Sequence, residues 1–318
     1  MIWDSFQSTL LGVLQIFILG AAGYVLVRKN VLGQEGLNML SRLVVEVTLP
    51  VLIFCQLIKD FKFNLFPEWW IYPLMSIVIM LFGFLLGWLF SGFIKGAQRK
   101  MQFLSLIGFQ NSGYLPLGLI AAILPSSKTG PMFIYLFMFL LGFNLMMWSV
   151  GVYVLSLHES RKFEMGSLFS PPVISTLISL AIVFFGLNAF IPEVVLKPLR
   201  MIGDCTLPLA LFVVGGSLSL THVKHVDMKA MTLIVLLKLV IMPLAGLWLV
   251  MRFGFPELMG LMIIMQLAVP PATSLSVIVR HYKKEDLFIS QGILIGHIVS
   301  LITVPVFLSL YFGLSRFP

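Results

Sequence analysis

Arg42-Leu-Val-Val-Glu-Val-Thr-Leu-Pro50 and Arg200-Met-Ile-Gly-Asp-Cys-Thr-Leu-Pro208 are one phrase written twice, Arg-x-x-x-acid-x-Thr-Leu-Pro, repeated 158 residues apart (208 − 50). Each copy lies in the second hydrophobic stretch of its half of the chain. With five such stretches per half, the second copy crosses a membrane in the direction opposite to the first. The spacing therefore predicts an inverted repeat, an organisation common among secondary transporters.

Composition points the same way. Of 318 residues, 59% are hydrophobic and 11% charged, and the mean hydropathy is +1.03, more apolar surface than a water-soluble core could enclose. The chain reads as an all-α integral membrane protein. A span needs roughly 20 mostly apolar residues, and from breaker to breaker ten are expected, over 7–28, 38–58, 69–94, 101–123, 131–157, 171–190, 198–220, 230–251, 257–279 and 287–312. The expected organisation is two inverted five-helix repeats, 1–157 and 171–318, joined by a cytoplasmic linker, 158–170. The connections leave no room between spans for a soluble catalytic module. Residues 1–28 lack a basic leader and are read as the first span, not a signal peptide, despite the small residues from Gly20 to Gly23.

The net charge of +8 does not form a nucleic-acid face, because the basic residues bracket hydrophobic spans. Loops after odd-numbered spans hold twelve of them: Arg28, Lys29, Lys95, Arg99, Lys100, Arg161, Lys162, Lys224, Lys229, Arg280, Lys283 and Lys284. The other side holds seven: Lys59, Lys62, Lys128, Lys197, Arg200, Arg252 and Arg316. The positive-inside rule then places both termini outside the cytoplasm. His158, His222, His225 and His281 fall in the cytoplasmic loops, and Trp69, Trp70 and Tyr72 read as an interfacial belt.

Several chemistries lack their parts. Cys55 and Cys205 sit at non-equivalent places inside spans, so neither a disulfide framework nor a metal site is supported. There is no GxSxG, HExxH, P-loop or GxGxxG, so enzymatic, ATP-driven and cofactor-dependent readings find no motif.

Two spans are interrupted. In the fourth, Gly108-Phe-Gln-Asn-Ser-Gly-Tyr-Leu-Pro116-Leu-Gly118 breaks an apolar run, and in the ninth Met265-Gln-Leu-Ala-Val-Pro270-Pro271-Ala-Thr273-Ser274 does so; aligning Gln110 with Gln266 gives an offset of 156 (266 − 110). Proline removes an amide donor, and unpaired backbone at membrane depth is tolerated only where protein or a water-filled cavity satisfies it. Two broken helices in repeat-equivalent spans bring half-helix N-termini together near the midplane, where free amides and partial positive charge favour an anion. Isolated proline kinks repaired by neighbouring helices are the bland alternative.

These residues resemble the auxin efflux carrier family along essentially the whole chain. The likeness rests on Thr48-Leu49-Pro50, Asn111-Ser-Gly-Tyr114, Pro208-Leu-Ala-Leu-Phe212 with Gly215 and Gly216, Lys238 with Pro243, Ala268-Val-Pro270 and Ser300-Leu-Ile-Thr-Val-Pro305. Bacterial members of that family are linked to malonate, malate and similar carboxylates, and its fold is distantly similar to bile acid sodium symporters. The resemblance implies a scaffold of spans 1, 2, 6 and 7, and a moving transport domain of spans 3–5 and 8–10 with crossed broken helices 4 and 9. In one respect the chain departs from the family pattern, since Pro116 precedes Gly118 here where glycine precedes proline there.

Charges inside hydrocarbon are costly unless paired or wet. Arg42 with Glu46, and Arg200 with Asp204, are spaced to pair along a helix face. Lys238 has no acid one turn away and needs a partner across helices; it could stand where another transporter binds sodium, counterbalance a carboxylate, or snorkel. His297 and Asn144 lie on the spans next to the broken ones, and histidine titrates where small gradients act.

The expectation is a secondary carrier of small organic anions, working by alternating access in the cell inner membrane. Asn111, Ser112, Tyr114, Pro116, Gln266, Pro270, Pro271 and Thr273 would bind the carboxylate, and Lys238, Asn144 and His297 would serve charge balance or coupling to H⁺ or Na⁺. No cofactor, metal or nucleic acid is implied, and a homodimer is left open. The closest alternative is a sodium-coupled symporter of the bile acid type, with Gln110, Asn111, Gln266 and Asn144 as oxygen ligands. A membrane sensor or receptor is disfavoured because no loop is large enough for a signalling domain.

Overall fold

A run of Leu, Ile, Val and Phe in hydrocarbon finds no water for its backbone and satisfies it by closing hydrogen bonds within a helix. The computed structural model describes residues 2–156, 169–221, 226–281 and 287–315, and all regular structure among them is helical. The α-helices are α1 (Ile2–Arg28), α2 (Gln34–Leu43), α3 (Leu49–Asp60), α4 (Ile71–Phe90), α5 (Ala97–Gly108), α6 (Tyr114–Ile123), α7 (Ser126–Met146), α8 (Val152–Ser156), α9 (Pro171–Phe184), α10 (Glu193–Asp204), α11 (Thr206–Ser219), α12 (Met228–Leu236), α13 (Met242–Phe253), α14 (Glu257–Ala268), α15 (Ser274–His281) and α16 (Leu287–Leu314). Residues 158–168 of the expected linker, with His158, lie outside the described residues, as do His222 and His225.

Among the described residues, seven helical stretches are long and apolar enough to cross a membrane: Phe6–Arg28, Gln34–Asp60, Ile71–Phe93, Ser126–Leu155, Glu193–Ser219, Met228–Phe253 and Leu287–Leu314. The other three expected spans differ from simple twenty-residue helices. The one expected over 171–190 is the fourteen-residue α9 followed by a 3-10 turn, Leu187–Phe190. Those expected over 101–123 and 257–279 are each two helices, α5 with α6 and α14 with α15, parted by non-helical residues.

Proline deforms the longer spans in two ways. Its ring clashes with the carbonyl four residues back and its nitrogen cannot donate there. Ahead of Pro50 the turn widens into a π-helix, Val44–Thr48, and ahead of Pro243 into another, Leu237–Ile241. Pro208, the repeat partner of Pro50, instead parts α10 from α11 at Cys205, whose N–H reaches Ile202 O at 3.2 Å. The same phrase therefore bends both spans at the same place by different repairs.

Small residues set the closest helix contacts. α1 lies along α11, and a Cβ on Gly215 would strike the backbone of Gly20, while one on Gly23 would strike the backbone of Phe212. Such near-contact of backbones is how helices gain van der Waals energy in lipid. Elsewhere α3 packs on α9 and α10, α4 on α5 and α7, and α14 on α13 and α16.

Two polar expectations change. Arg42 does pair with Glu46, Nε to Oε1 at 3.1 Å, but Arg200 pairs with Glu193 at 3.0 Å and not with Asp204. Helical side chains lean toward the N-terminus, which carries the long Arg200 side chain back along α10 toward Glu193. Tyr72 is no belt residue either: it is 2% exposed and stacks on Tyr135 with ring centroids 4.2 Å apart. Tyr135 in turn meets Phe66, and Phe66 stacks on Phe61, so an aromatic cluster closes the end of the molecule where α3 finishes and α4 begins.

Gly215→Leu should force α1 from α11 and destabilise the protein by about 1–3 kcal/mol or more, read as a lower thermal midpoint in detergent. Gly92→Ala, where an added Cβ meets nothing within 4 Å, should leave the midpoint in place.

Candidate functional site

Pro270 and Pro271 have no N–H for the carbonyls of Gln266 and Leu267, so the helix must stop before them, and α14 ends at Ala268. In the fourth span the helix stops without proline, at Gly108, and Phe109 to Gly113 run non-helically until α6 begins at Tyr114. Pro116 lies in the first turn of α6, where a missing N–H breaks no helical bond. The interruption thus precedes Pro116 and does not include it.

The two interruptions meet and satisfy each other. Gln110 and Pro271 form an antiparallel bridge, Asn111 N–H donates to Pro270 O at 2.8 Å, and Ala272 N–H donates to Phe109 O at 3.0 Å. The helix ends are offset by 160 residues (268 − 108 and 274 − 114), so the fold does not keep the pairing of Gln110 with Gln266. Gln110 lies within its break, whereas Gln266 stays in the last turn of α14 and donates from Nε2 to Ser112 O at 3.2 Å.

Because Asn111 N–H bonds across the crossing, Ile107 loses its intrahelical donor. Lys238 supplies one. Its side chain, 0% exposed, reaches from the π-turn of the eighth expected span, and Nζ donates to Ile107 O at 3.1 Å. Among the described residues no carboxylate is ion-paired with it. The carbonyl end of α5 carries partial negative charge, which favours an ammonium there.

Beside the crossing lies a cavity of about 160 Å³. One wall is the crossing itself, from Gln110 to Tyr114 and from Ala272 to Ser274; a second is α7 with its π-turn, offering Phe143, Asn144 and Trp148; the third comes from other helices through Val45, Leu49 and Pro172. Helices α6 and α15 both begin on this lining, at Tyr114 and Ser274, so their N-terminal first turns adjoin it. None of the lining residues is charged. Gln110, at 0% exposure, has no partner for Oε1 or Nε2, and Ser112 Oγ and Gln266 Oε1 are also without one. An unmade hydrogen bond at a buried group costs about 1–3 kcal/mol, so Gln110 and Ser112, both on the cavity lining, have bonding capacity that a ligand or water entering it can meet.

Of the residues expected to bind a carboxylate, Asn111, Ser112, Tyr114 and Thr273 line the cavity, as does Asn144. Gln266, Pro270 and Pro271 stand behind it as backbone partners, and Pro116 is buried in α6. His297 is one layer back, with Nε2 3.2 Å from Asn111 Nδ2. The sequence reading of the carboxylate site left out Gln110, Phe143, Trp148, Val45 and Leu49. Gln110 was within reach, as a polar side chain inside the interrupted motif; the apolar walls carried no signal that separates them from lipid-facing residues.

A family model described as membrane transport protein, that of the auxin efflux carrier family, matches residues 9–166 and 156–308. A curated relative, an uncharacterized transporter of Schizosaccharomyces pombe, is 23% identical over 128 residues, which is 40% of this chain and 28% of the yeast protein.

Removing the donor from Ile107 tests the crossing. Lys238→Met should lower the unfolding free energy by about 1–3 kcal/mol, and Lys238→Gln, which can still donate, should recover part of it in thermal melts of purified protein.

Proposed function

Because this chain belongs to the auxin efflux carrier family of membrane transport proteins, we propose that this membrane transporter carries small organic anions, carboxylates among them, by alternating access. The observation that carries the reading is the uncharged cavity beside two crossed, interrupted helices, with the N-terminal ends of α6 and α15 on its wall. Backbone N–H groups and helix dipoles attract a carboxylate there, Asn111, Ser112 and Thr273 add polar contacts, and Phe143 and Trp148 offer an apolar face to the body of the substrate.

In this reading the chain has ten spans in two inverted repeats, 1–157 and 171–318. α1, α2–α3, α9 and α10–α11 form the scaffold, and the remaining helices the transport domain. The cavity fits that division, since Val45, Leu49 and Pro172 come from the first group and the rest of its lining comes almost wholly from the second. It extends toward Ser170 and Pro172 at the start of α9, while the aromatic cluster around Phe61 and Tyr135 lies where α3 finishes and α4 begins. With both termini outside, this conformation faces the cytoplasm. Lys238 supplies a fixed positive charge at the crossing, so that a monovalent carboxylate crosses without Na⁺.

A second reading, a sodium-coupled symporter of the bile acid type, draws on the unpartnered oxygens of Gln110, Gln266 and Ser112. It places a cation beside a crossing that already holds the Lys238 ammonium and no described carboxylate.

Uptake into proteoliposomes of a panel of mono- and dicarboxylates, with pH and Na⁺ gradients imposed separately, tests both. Transport of a carboxylate without Na⁺ is expected; a strict Na⁺ requirement favours the symporter, and uptake of none of the acids defeats the carboxylate reading. Asn111→Ala should weaken binding about tenfold or more, the equivalent of one hydrogen bond to a charged group at roughly 1.5–3 kcal/mol. For sidedness, a cysteine placed at Lys197 should label from outside and one at Lys162 only from inside.

A further inference from the structure

We infer that His297 is a proton-operated positioning residue that decides which end of the Asn111 amide faces the cavity, so that the carboxylate binds together with one proton. This deepens the reading above and rests on it.

The hydrogen bonds around the ring leave one assignment. His297 Nδ1 lies 2.8 Å from Ile293 O, and a carbonyl oxygen only accepts, so Nδ1 carries the hydrogen. In the neutral ring Nε2 is then an acceptor, and its neighbour at 3.2 Å must be the donating end of the Asn111 amide. With Nδ2 held by the ring, Asn111 turns Oδ1 away from the ring, and Asn111 is part of the cavity lining. A carboxylate has only acceptor atoms, and in this state one of the two Nδ2 hydrogens is committed to the ring while Oδ1 can only accept, so Asn111 offers the anion at most one donor.

A proton arriving from solution at Nε2 inverts the arrangement. Nε2 becomes a donor and needs an acceptor; the Asn111 amide rotates half a turn about its Cβ–Cγ bond; Oδ1 accepts from Nε2–H; and Nδ2 presents its two hydrogens to the cavity. No covalent bond other than N–H forms or breaks, and the proton remains on the ring until the anion leaves. The ring is 1% exposed. A lone charge so enclosed is expensive, and so is an enclosed carboxylate, whereas the opposite charges of the two offset each other. Proton and anion therefore bind cooperatively, each raising the affinity for the other by the same factor.

Two described carboxylates on elements packed against the same helix are ion-paired, Asp227 with Arg99 at 3.9 Å and Glu257 with Lys128 at 2.6 Å. From α1, Tyr24 shares an apolar cavity of about 410 Å³ with the ring; Tyr114 heads α6 next to Leu115 of that cavity; and Lys238 comes from the span packed on the same helix. At the two ends of α16, Glu257 meets Tyr311 and Arg99 lies over Phe288. Lys229 occupies the first turn of α12, Lys100 that of α5 and Arg252 the last turn of α13.

The test is calorimetric titration of the purified full chain with phenylacetate, which is ionised between about pH 5.5 and 8, in buffers of differing ionisation enthalpy. Expected are uptake of one proton per ligand and about tenfold tighter binding for each pH unit lowered. His297→Gln, neutral at every pH, should abolish the proton uptake and flatten the pH profile while the protein still folds. Phenylacetate binding to the parent protein without proton uptake overturns this inference alone, and so does an unchanged pH slope in His297→Gln. If neither phenylacetate nor any acid of the uptake panel binds at any pH, the carboxylate reading fails and takes this one with it. Because proton uptake is measured on the parent protein, the inference is decided even if His297→Gln does not fold.

Discussion

Two backbone hydrogen bonds, Asn111 N–H to Pro270 O and Ala272 N–H to Phe109 O, hold the site open. In the middle of a membrane a stretch of non-helical chain has no water to satisfy it, and neither interruption could persist alone. Each is the partner the other lacks. What the exchange leaves unpaired is met from further out, Ile107 O by Lys238 and Ser112 O by Gln266. The side chains that cannot be satisfied this way, Gln110 and Ser112 Oγ, are where the molecule has reserved bonding capacity.

Around that crossing the fold varies its grip. Where α1 meets α11, glycines bring backbone onto backbone. Beside that seam an apolar cavity of about 410 Å³ opens between α1, α11 and α16, lined by Gly20 and Gly215 themselves, while α1 also packs along α16.

The repeat, the helical class and both interruptions could be read from residues, because proline, glycine and hydropathy act on their own neighbourhoods. Lys238 also declared itself, through its depth in an apolar run. Orientation about the crossing was not legible. Whether Gln110 or Gln266 turns toward the cavity depends on which backbone atoms pair between segments about 160 residues apart (268 − 108), and nothing in either segment alone fixes that. The pairing of Arg200 with Glu193 in place of Asp204, and the inward turn of Tyr72 onto Tyr135, likewise follow from side-chain direction and neighbours supplied by the fold. Val45 and Leu49 were invisible for another reason: in a membrane protein an apolar wall and a lipid-facing surface have the same composition.

The antiparallel bridge between Gln110 and Pro271 also governs how such a protein can diverge. Paired extended chain alternates its side chains with a period of two, so adding or deleting one residue turns every following side chain to the opposite face. Surface loops absorb length changes freely, but these interruptions cannot, since one inserted residue would exchange the side chains facing inward for those facing away. Under the proposed reading, new substrates would be reached by replacing residues at constant length on the walls that take no part in the bridge, at Phe143, Trp148, Val45 and Leu49.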